Sequence, residues 1–298
     1  MKNKGLTIFL IVLLSIIVIG IIALLIAVLF GNVKLFNMNI ASFKKAQKVS
    51  DKLVFEETYN LDFGRIDVDV EAGNIYIKES SDEEVKVVVY NEKDIDVNAN
   101  GDLSLKVEAE DCIGFCINMK VAKVEIYLPK DYEKTINIKN NYGDIEIENF
   151  AKATIDIEED CGDIFVAQAD KLKLEIDAGD VEVQKVEFAE IKSSAGNVDV
   201  GTVADVRIDN DLGDINIDAV TSFLDLESDC GDIKVNNIDL KEDSYIKQDL
   251  GDVEIGTTNE IYFDAETDLG DVDVRNNYQN SDTTLKIEND CGDITVNN

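Results

Sequence analysis

Cys161-Gly162-Asp163-Ile164-Phe165-Val166, Cys230-Gly231-Asp232-Ile233-Lys234-Val235 and Cys291-Gly292-Asp293-Ile294-Thr295-Val296 are three copies of one pattern. A small or apolar residue, then Gly, Asp or Asn, and Ile/Val-x-Ile/Val recurs nine times between residues 141 and 298. The remaining copies centre on Gly143, Gly179, Gly196, Gly213, Gly251 and Gly270, and successive glycines are 19, 17, 17, 17, 18, 20, 19 and 22 residues apart. A period near 20 residues marks a solenoid, in which each coil buries its apolar stripe only against its neighbours.

Aligning the copies on Gly resolves columns. Two and four positions after it, from Ile145 and Ile147 to Ile294 and Val296, every residue is Ile or Val, and the residue between is polar except at Phe165. Strict alternation of β-branched and polar residues predicts a short strand with one buried face. Five and seven positions before Gly, pairs such as Ile138 and Ile136 or Leu226 and Leu224 predict a second strand. Each coil therefore reads as strand, Gly turn, strand and a return loop of variable length, with coils stacked ~4.8 Å apart. The column directly before Gly holds Tyr142, Cys161, Ala178, Ala195, Leu212, Cys230, Leu250, Leu269 and Cys291. Interchange of Cys with Leu and Ala predicts buried packing there. In chain order these cysteines lie three or more coils apart, ~14 Å or more at the stacking interval, too far for a disulfide.

Four segments follow from this pattern: a membrane anchor over 1–31, a linker over 32–50, a cap with antiparallel strands over 51–140, and solenoid repeats over 141–298. The fold class is all-β, a parallel β-solenoid with an antiparallel hairpin region near its amino-terminal end, preceded by one transmembrane helix. Phe63-Gly64-Arg65-Ile66 and Ala72-Gly73-Asn74-Ile75 are early copies that start the solenoid. Val85–Tyr90, Leu103–Ala109 and Val121–Leu128 alternate as strands, and Asn98-Ala99-Asn100-Gly101-Asp102 reads as a hairpin turn. Cys112 and Cys116 sit across a hairpin tip, where a disulfide is geometrically open to them in an oxidising compartment. The chain ends two residues after Val296 with no polar capping coil, so the last coil is expected to be an open edge for end-to-end self-association.

Leu6 to Phe30 is 25 residues without a charge. At ~1.5 Å per residue that length crosses the ~30 Å hydrocarbon core with some tilt. It is too long for a cleaved signal, whose apolar region is about 7–15 residues. The expectation is a single-pass anchor in the cell membrane with the body on the outer face. Positive charges flank both ends, and those nearest the span favour an inner amino terminus. The acid-free stretch 32–48 reads equally as a solvated spacer or as a contact for anionic headgroups.

The 298 residues carry a formal charge of −34. Residues 1–48 hold six Lys and no acid, so the remaining 250 carry 62 acids against 22 bases. A body this acidic is excluded from phosphate-driven nucleic-acid binding. There is no His and no Trp. The commonest general base and metal ligand is thus missing, as is the best sugar-stacking ring. With acids in such excess, no pair of carboxylates stands out as a glycosidase pair. No catalytic, cofactor-binding or metal-binding residue is assigned, and no cofactor is expected.

Two columns of acids remain, one directly after Gly (Asp144 to Asp293, with Asn197) and one two before it (Asp160 to Asp290, with Asn141 and Ser194). Stacked carboxylates repel, and Ca²⁺ would relieve that. Yet Ca²⁺-binding solenoid repeats carry Gly-Gly-x-Gly-x-Asp, against one Gly per turn here. The favoured reading is turn formation by Asp bonding to backbone N–H groups. Asn197 and Ser194 make the fourth coil neutral in both columns and are expected to interrupt either ladder.

Gly-Asp/Asn-Ile pairs at the start, Asp102-Leu103-Ser104-Leu105-Lys106-Val107, a Gly-Phe hairpin, Val124-Glu125-Ile126-Tyr127-Leu128-Pro129-Lys130 and then Gly-Asp-Ile repeats together resemble the bacterial β-strand-repeat family labelled "putative adhesins". The resemblance covers about residues 50–298. It implies a β-solenoid without catalytic residues, often membrane-anchored in Gram-positive bacteria, with some members encoded beside antibiotic-responsive envelope-stress systems. The function expected is a non-catalytic surface module with a structural or interaction role. The alternatives are an acidic binding module for cationic envelope-active peptides or Ca²⁺ and, last, a carbohydrate-active β-helix enzyme.

Overall fold

The computed structural model describes residues 51–61, 63–92, 94–108 and 121–297. The expected membrane span at 6–30, the linker and the Cys112–Cys116 tip lie outside the described residues. Among the described residues no helix is long and apolar enough to cross a membrane. Residues 51–298 form one compact unit.

The strands are β1 (Leu53–Asn60), β2 (Arg65–Val70), β3 (Gly73–Ser80), β4 (Glu84–Tyr90), β5 (Ile95–Asn100), β6 (Asp102–Val107), β7 (Ala122–Pro129), β8 (Thr135–Tyr142), β9 (Ile145–Cys161), β10 (Ile164–Ala178), β11 (Val181–Ser193), β12 (Val198–Leu212), β13 (Ile215–Cys230), β14 (Ile233–Ile238), β15 (Ser244–Leu250), β16 (Val253–Thr258), β17 (Tyr262–Leu269), β18 (Val272–Val274), β19 (Thr284–Cys291) and β20 (Ile294–Val296). β9 to β13 pair in parallel, like residue on like residue: Ile145 on Ile164, Ile164 on Val181, Val181 on Val198, Val198 on Ile215. The Ile/Val columns after Gly are buried in every coil but that of Val272 and Val274. Stacking them gives one continuous core and pairs the backbone of each coil with the next, which a single coil cannot do for itself.

The return loops expected after each coil are absent from the central coils. From β9 to β13 the strand after one Gly runs unbroken into the strand before the next, up to 17 residues in β9. Differences in coil length are taken up by register shifts between Ala169 and Lys171 and between Val203 and Asp205. A bulge absorbs an extra residue while the flanking ladder continues.

The glycines turn where no other residue fits. Gly213 has φ +136°, and a Cβ there would overlap the carbonyl oxygen of Gly196 in the coil beneath. Both the backbone conformation and the close approach require Gly.

Stack order departs from chain order at both ends. β19 lies between β15 and β17, and β20 between β16 and β18. The last coil in sequence is therefore inserted under the one before it, and β17–β18 forms the end of the stack. Val296, expected at an open edge, is fully buried with Ile255 on one side and Val274 on the other. At the amino-proximal end β2 lies between β6 and β8, and β3 between β7 and β9. The two early copies are thus two strands of one coil whose turn is Gly73, while Gly64 leans on the β5–β6 hairpin, its N–H donating to Gly101 O at 2.8 Å. Outside this layer the pairing turns antiparallel: β5 on β6, β4 on β7 and β1 on β4.

Candidate functional site: an apolar seam between two acidic rows

Inward positions three before and two after Gly are five residues apart, so strict alternation cannot hold across the turn. The break falls just before Gly, and it inverts two columns. The apolar column directly before Gly, expected in the core, faces out. Tyr142 is 58% exposed, Leu212 56%, Leu250 53% and Leu269 70%. Cys161 and Cys230 are exposed free thiols, and Cys291 is half-buried. Because the last coil is inserted, Cys230 and Cys291 are two coils apart with Leu250 between them, closer than chain order implied. At ~10 Å they remain beyond disulfide reach.

The column three before Gly, polar in sequence but for Ile176 and overlooked as core, points inward. Asn140, Glu159, Ser193, Asn210, Ser228, Gln248 and Asn289 are all buried. Their function is visible in the amides. Asn210 Nδ2 donates to the carbonyls of Gly213 at 2.9 Å and Gly196 at 3.4 Å. Gln248 Nε2 donates to Gly231 O at 2.8 Å and Leu250 O at 2.7 Å, and Asn289 Nδ2 to Gly251 O at 2.9 Å. They bond the glycine carbonyls of the turns, and Leu250 O accepts from the Gly231 N–H at 3.0 Å as well. The sequence signal was there: amides recurring at one column beside a Gly turn.

Glu159 is the acid of that column. Its Oε2 has no hydrogen-bond partner, nor does Asn140 Oδ1, which the ladder sets beside it. Burial pushes the Glu159 carboxyl up to about 7, against hydrogen bonds from Asn140 and the Cys161 N–H, with Asp160 and Asp144 adding to the rise. Below that value the carboxyl carries a proton, the donor that two facing acceptor oxygens require.

The acid column after Gly is a backbone ladder. Asp163 N–H donates to Asp144 Oδ1 at 3.2 Å, Asp180 N–H to Asp163 Oδ1 at 3.0 Å, and Asp232 N–H to Asp214 Oδ1 at 2.9 Å. The expected interruption at Asn197 does not occur, since its Oδ1 accepts from Asp214 N–H at 3.0 Å as a carboxylate would. The ladder follows the stack and not the chain: Asp293 N–H donates to Asp252 Oδ1, and Asp271 N–H to Asp293 Oδ1. These carboxylates are exposed. The second column, two before Gly, is largely exposed as well. Two acidic rows therefore flank the apolar seam, except at Tyr142, where Asn141 replaces one acid, and at Ala195, where Ser194 and Asn197 replace both. Among the described residues no group of three or more His, Cys, Asp or Glu is placed to hold a metal ion.

A different cluster sits on β3, β4 and β7. Glu125 is buried and accepts from Lys78 Nζ at 2.7 Å, Lys123 Nζ at 3.1 Å and Tyr127 OH at 3.1 Å. Burial would raise it, but the hydrogen bonds from Lys78, Lys123 and Tyr127 outweigh that and hold it at about 2. Lys78 and Lys123 also lie over the Tyr76 ring, 5.2 and 5.6 Å from its centre. A carboxylate so fully engaged does no proton transfer near neutrality.

The family described as Toastrack DUF4097 matches residues 63–203 and 189–298. The chain belongs to this family. Its Gly turns, interleaved ends and exposed seam are thus features of a Toastrack chain. A crystal structure described as a "putative adhesin" from Bacteroides fragilis is 19% identical, with 82% of this chain and 97% of that one covered at a TM-score of 0.44. A "putative lipid binding protein" from Parabacteroides distasonis is 12% identical over 80% of this chain and 96% of that one, at a TM-score of 0.39. A "putative cell adhesion protein" from Clostridium sporogenes is 13% identical over 83% and 99%, at 0.25. No curated protein matches the chain. Membership rests on the family match.

Proposed function

We propose that this Toastrack chain is a non-catalytic interaction module of the cell envelope. Residues 6–30 hold it in the membrane, its solenoid lies on the outer face, and its acidic rows bind cationic ligands. The observation that carries this reading is the regularity of the charged surface. Carboxylates repeat coil after coil on a rigid sheet, and the depressions among them are shallow and open. Three of these, about 380, 360 and 300 Å³, are lined by outward strand residues such as Glu190, Arg207 and Asp225, Asp67, Lys139 and Glu158, or Glu175, Asp177 and Asp209. Catalysis asks for an asymmetric site that shields reacting groups from water. A periodic acidic wall instead attracts opposite charge, more strongly at low ionic strength.

The test is binding of a Lys-rich peptide and of its Glu-rich counterpart to the protein at low and high salt. Binding of the first alone, weakening as salt rises, is expected; salt-independent or charge-blind binding would sink the reading. The anchoring is tested apart from it, by protease treatment of intact cells. The solenoid should be cleaved while the cytoplasm stays protected.

A further inference from the structure

The seam is more than charge. Leu212, Cys230, Leu250, Cys291 and Leu269 occupy five consecutive coils in the stack, each paired in register with the next. Three of the five are Leu and more than half exposed. Single exposed apolar residues are ordinary, but a row of them on neighbouring coils is a contact surface. Each lies between the Asp before it and the Asp of the following turn, so acids border the row on both sides. On the coil of Ala195 the apolar residue shrinks and both flanking acids are replaced, by Ser194 and Asn197. Apolar contact and charge fade together there, which marks the Leu-bearing half as a site with an end.

We propose that this half of the seam docks a basic amphipathic helix, its apolar stripe on the Leu row and its Lys or Arg side chains against the two acidic rows. This rests on the reading of the body as a binder of cationic ligands and gives that reading a place and a shape. Helix, and not strand, follows from spacing. Coils repeat every ~4.8 Å, while a helical stripe returns every ~5.4 Å and same-face residues of a strand every ~6.7 Å. Over four coil intervals, ~19 Å, a helical stripe overruns the coils by ~2.4 Å, about half a coil, whereas a strand drifts by more than a coil. A second copy of this chain is a poor occupant, because seam on seam would set carboxylate rows against each other.

The native thiols report on the site. Cys112 and Cys116 are replaced by Ser in residues 51–298, the compact unit that holds the whole described core. The probe is a synthetic Leu–Lys peptide of about 14 residues with Leu at i, i+3, i+4 and i+7. Its control has the same composition with Leu spread around the helix. The patterned peptide is expected to bind at least ~10-fold more tightly, a difference of 1.4 kcal/mol. It should slow maleimide labelling of Cys230 several-fold and leave Cys161, in the Ala half, nearly unchanged. Leu212→Ser with Leu250→Ser, both outside the core, should bring patterned binding down to that of the control. Equal binding of the two peptides with Cys230 unprotected overturns the seam and leaves the charge reading standing. Failure of both peptides to bind at low salt overturns both readings. The peptide comparison holds whether or not the double variant folds.

Discussion

At the amino-proximal end of the stack, β6 and β7 form the last parallel layer and both are covered. β5 lies antiparallel on β6, β4 on β7 and β1 on β4, and the added strands bury Val85, Val87 and Val89. At the other end β17 and β18 meet no further strand among the described residues. An amide caps β17: Asn277 Oδ1 accepts from Phe263 N–H at 2.9 Å, and its Nδ2 donates to Phe263 O at 2.8 Å. The amide stands in for a missing strand. Val272 remains 43% exposed, and Asp264, Glu266, Asp268, Asp271 and Asp273 crowd the same coil. One end is closed by building more core, the other by a poor core, a capping amide and charge. Charged edge strands deter pairing, so the second solution is expected to disfavour stacking on this end.

The largest test removes the inserted coil. Ending the chain at Thr283 deletes β19 and β20, with fully buried Leu285, Ile287, Ile294 and Val296. Each such side chain contributes ~1.5–3 kcal/mol by burial. Because β17–β18 rests on these strands, hydrogen exchange should show 262–274 unprotected as well, two coils lost for one deleted. Protection of 262–274 in the shortened chain would refute the interleaved order. A second test compares the middle of the stack with the amino-proximal hairpin. Gly213→Ala combines a disfavoured φ with overlap on Gly196 O and should cost about 3 kcal/mol or more in urea unfolding. Gly101→Ala has positive φ but open space around its Cβ and should cost about 1 kcal/mol.

The central coils are legible in the sequence because each position is asked the same question nine times. A β-branched residue at every copy has no reading but core. Stack order at the ends is not legible, because parallel coils of equal quality fit in either order. What decides it is the weakness of one coil, with Ala265 half-buried where most others bury Ile or Leu. The candidate site was half legible. Both acid columns were visible, but the apolar column between them was misplaced, since counting by twos from either strand ignores the residue that the turn absorbs. The inward Asn, Gln and Glu drew no reading for the same reason.

Buried carboxylates also divide the ends. Glu125 and Glu159 both lie toward the amino-proximal end, while the matching inward positions at the other end are Gln248, Asn289 and Thr267. Glu159 is held near 7 in the folded chain against an ordinary 4.5. Between those values the folded protein keeps a proton that the unfolded chain has released, so stability falls by up to about 3 kcal/mol as pH rises through this window and is flat above it. Glu159→Gln should remove that slope, leaving the variant more stable than the parent at pH ~8 and little changed near pH ~4. Glu125 has the opposite sign. Held at about 2, it adds stability above 4.5 that is lost as pH falls toward 2. Glu125→Gln should lose about 2–3 kcal/mol at neutral pH and nothing at low pH. Urea midpoints across pH for the parent and each variant separate the two; a slope unchanged by Glu159→Gln would show that this acid is ionised in the fold.

The smallest effect bears on the bare end itself. Asn277→Ala deletes two hydrogen bonds to Phe263 and should cost ~1 kcal/mol. Its greater consequence is exposure, because the Phe263 N–H and C=O would then be free to pair with another strand. Whether they do depends on the acids beside them. At low salt, repulsion between like-charged ends should hold the variant monomeric; at high salt, screening should allow edge-to-edge association that the parent does not show. This salt response runs opposite to that of cationic ligands on the seam, so sedimentation of Asn277→Ala at two ionic strengths tells edge pairing from charge binding. A variant that stays monomeric at high salt would mean that the amide is not what closes this end, and that the acid-laden coil suffices alone.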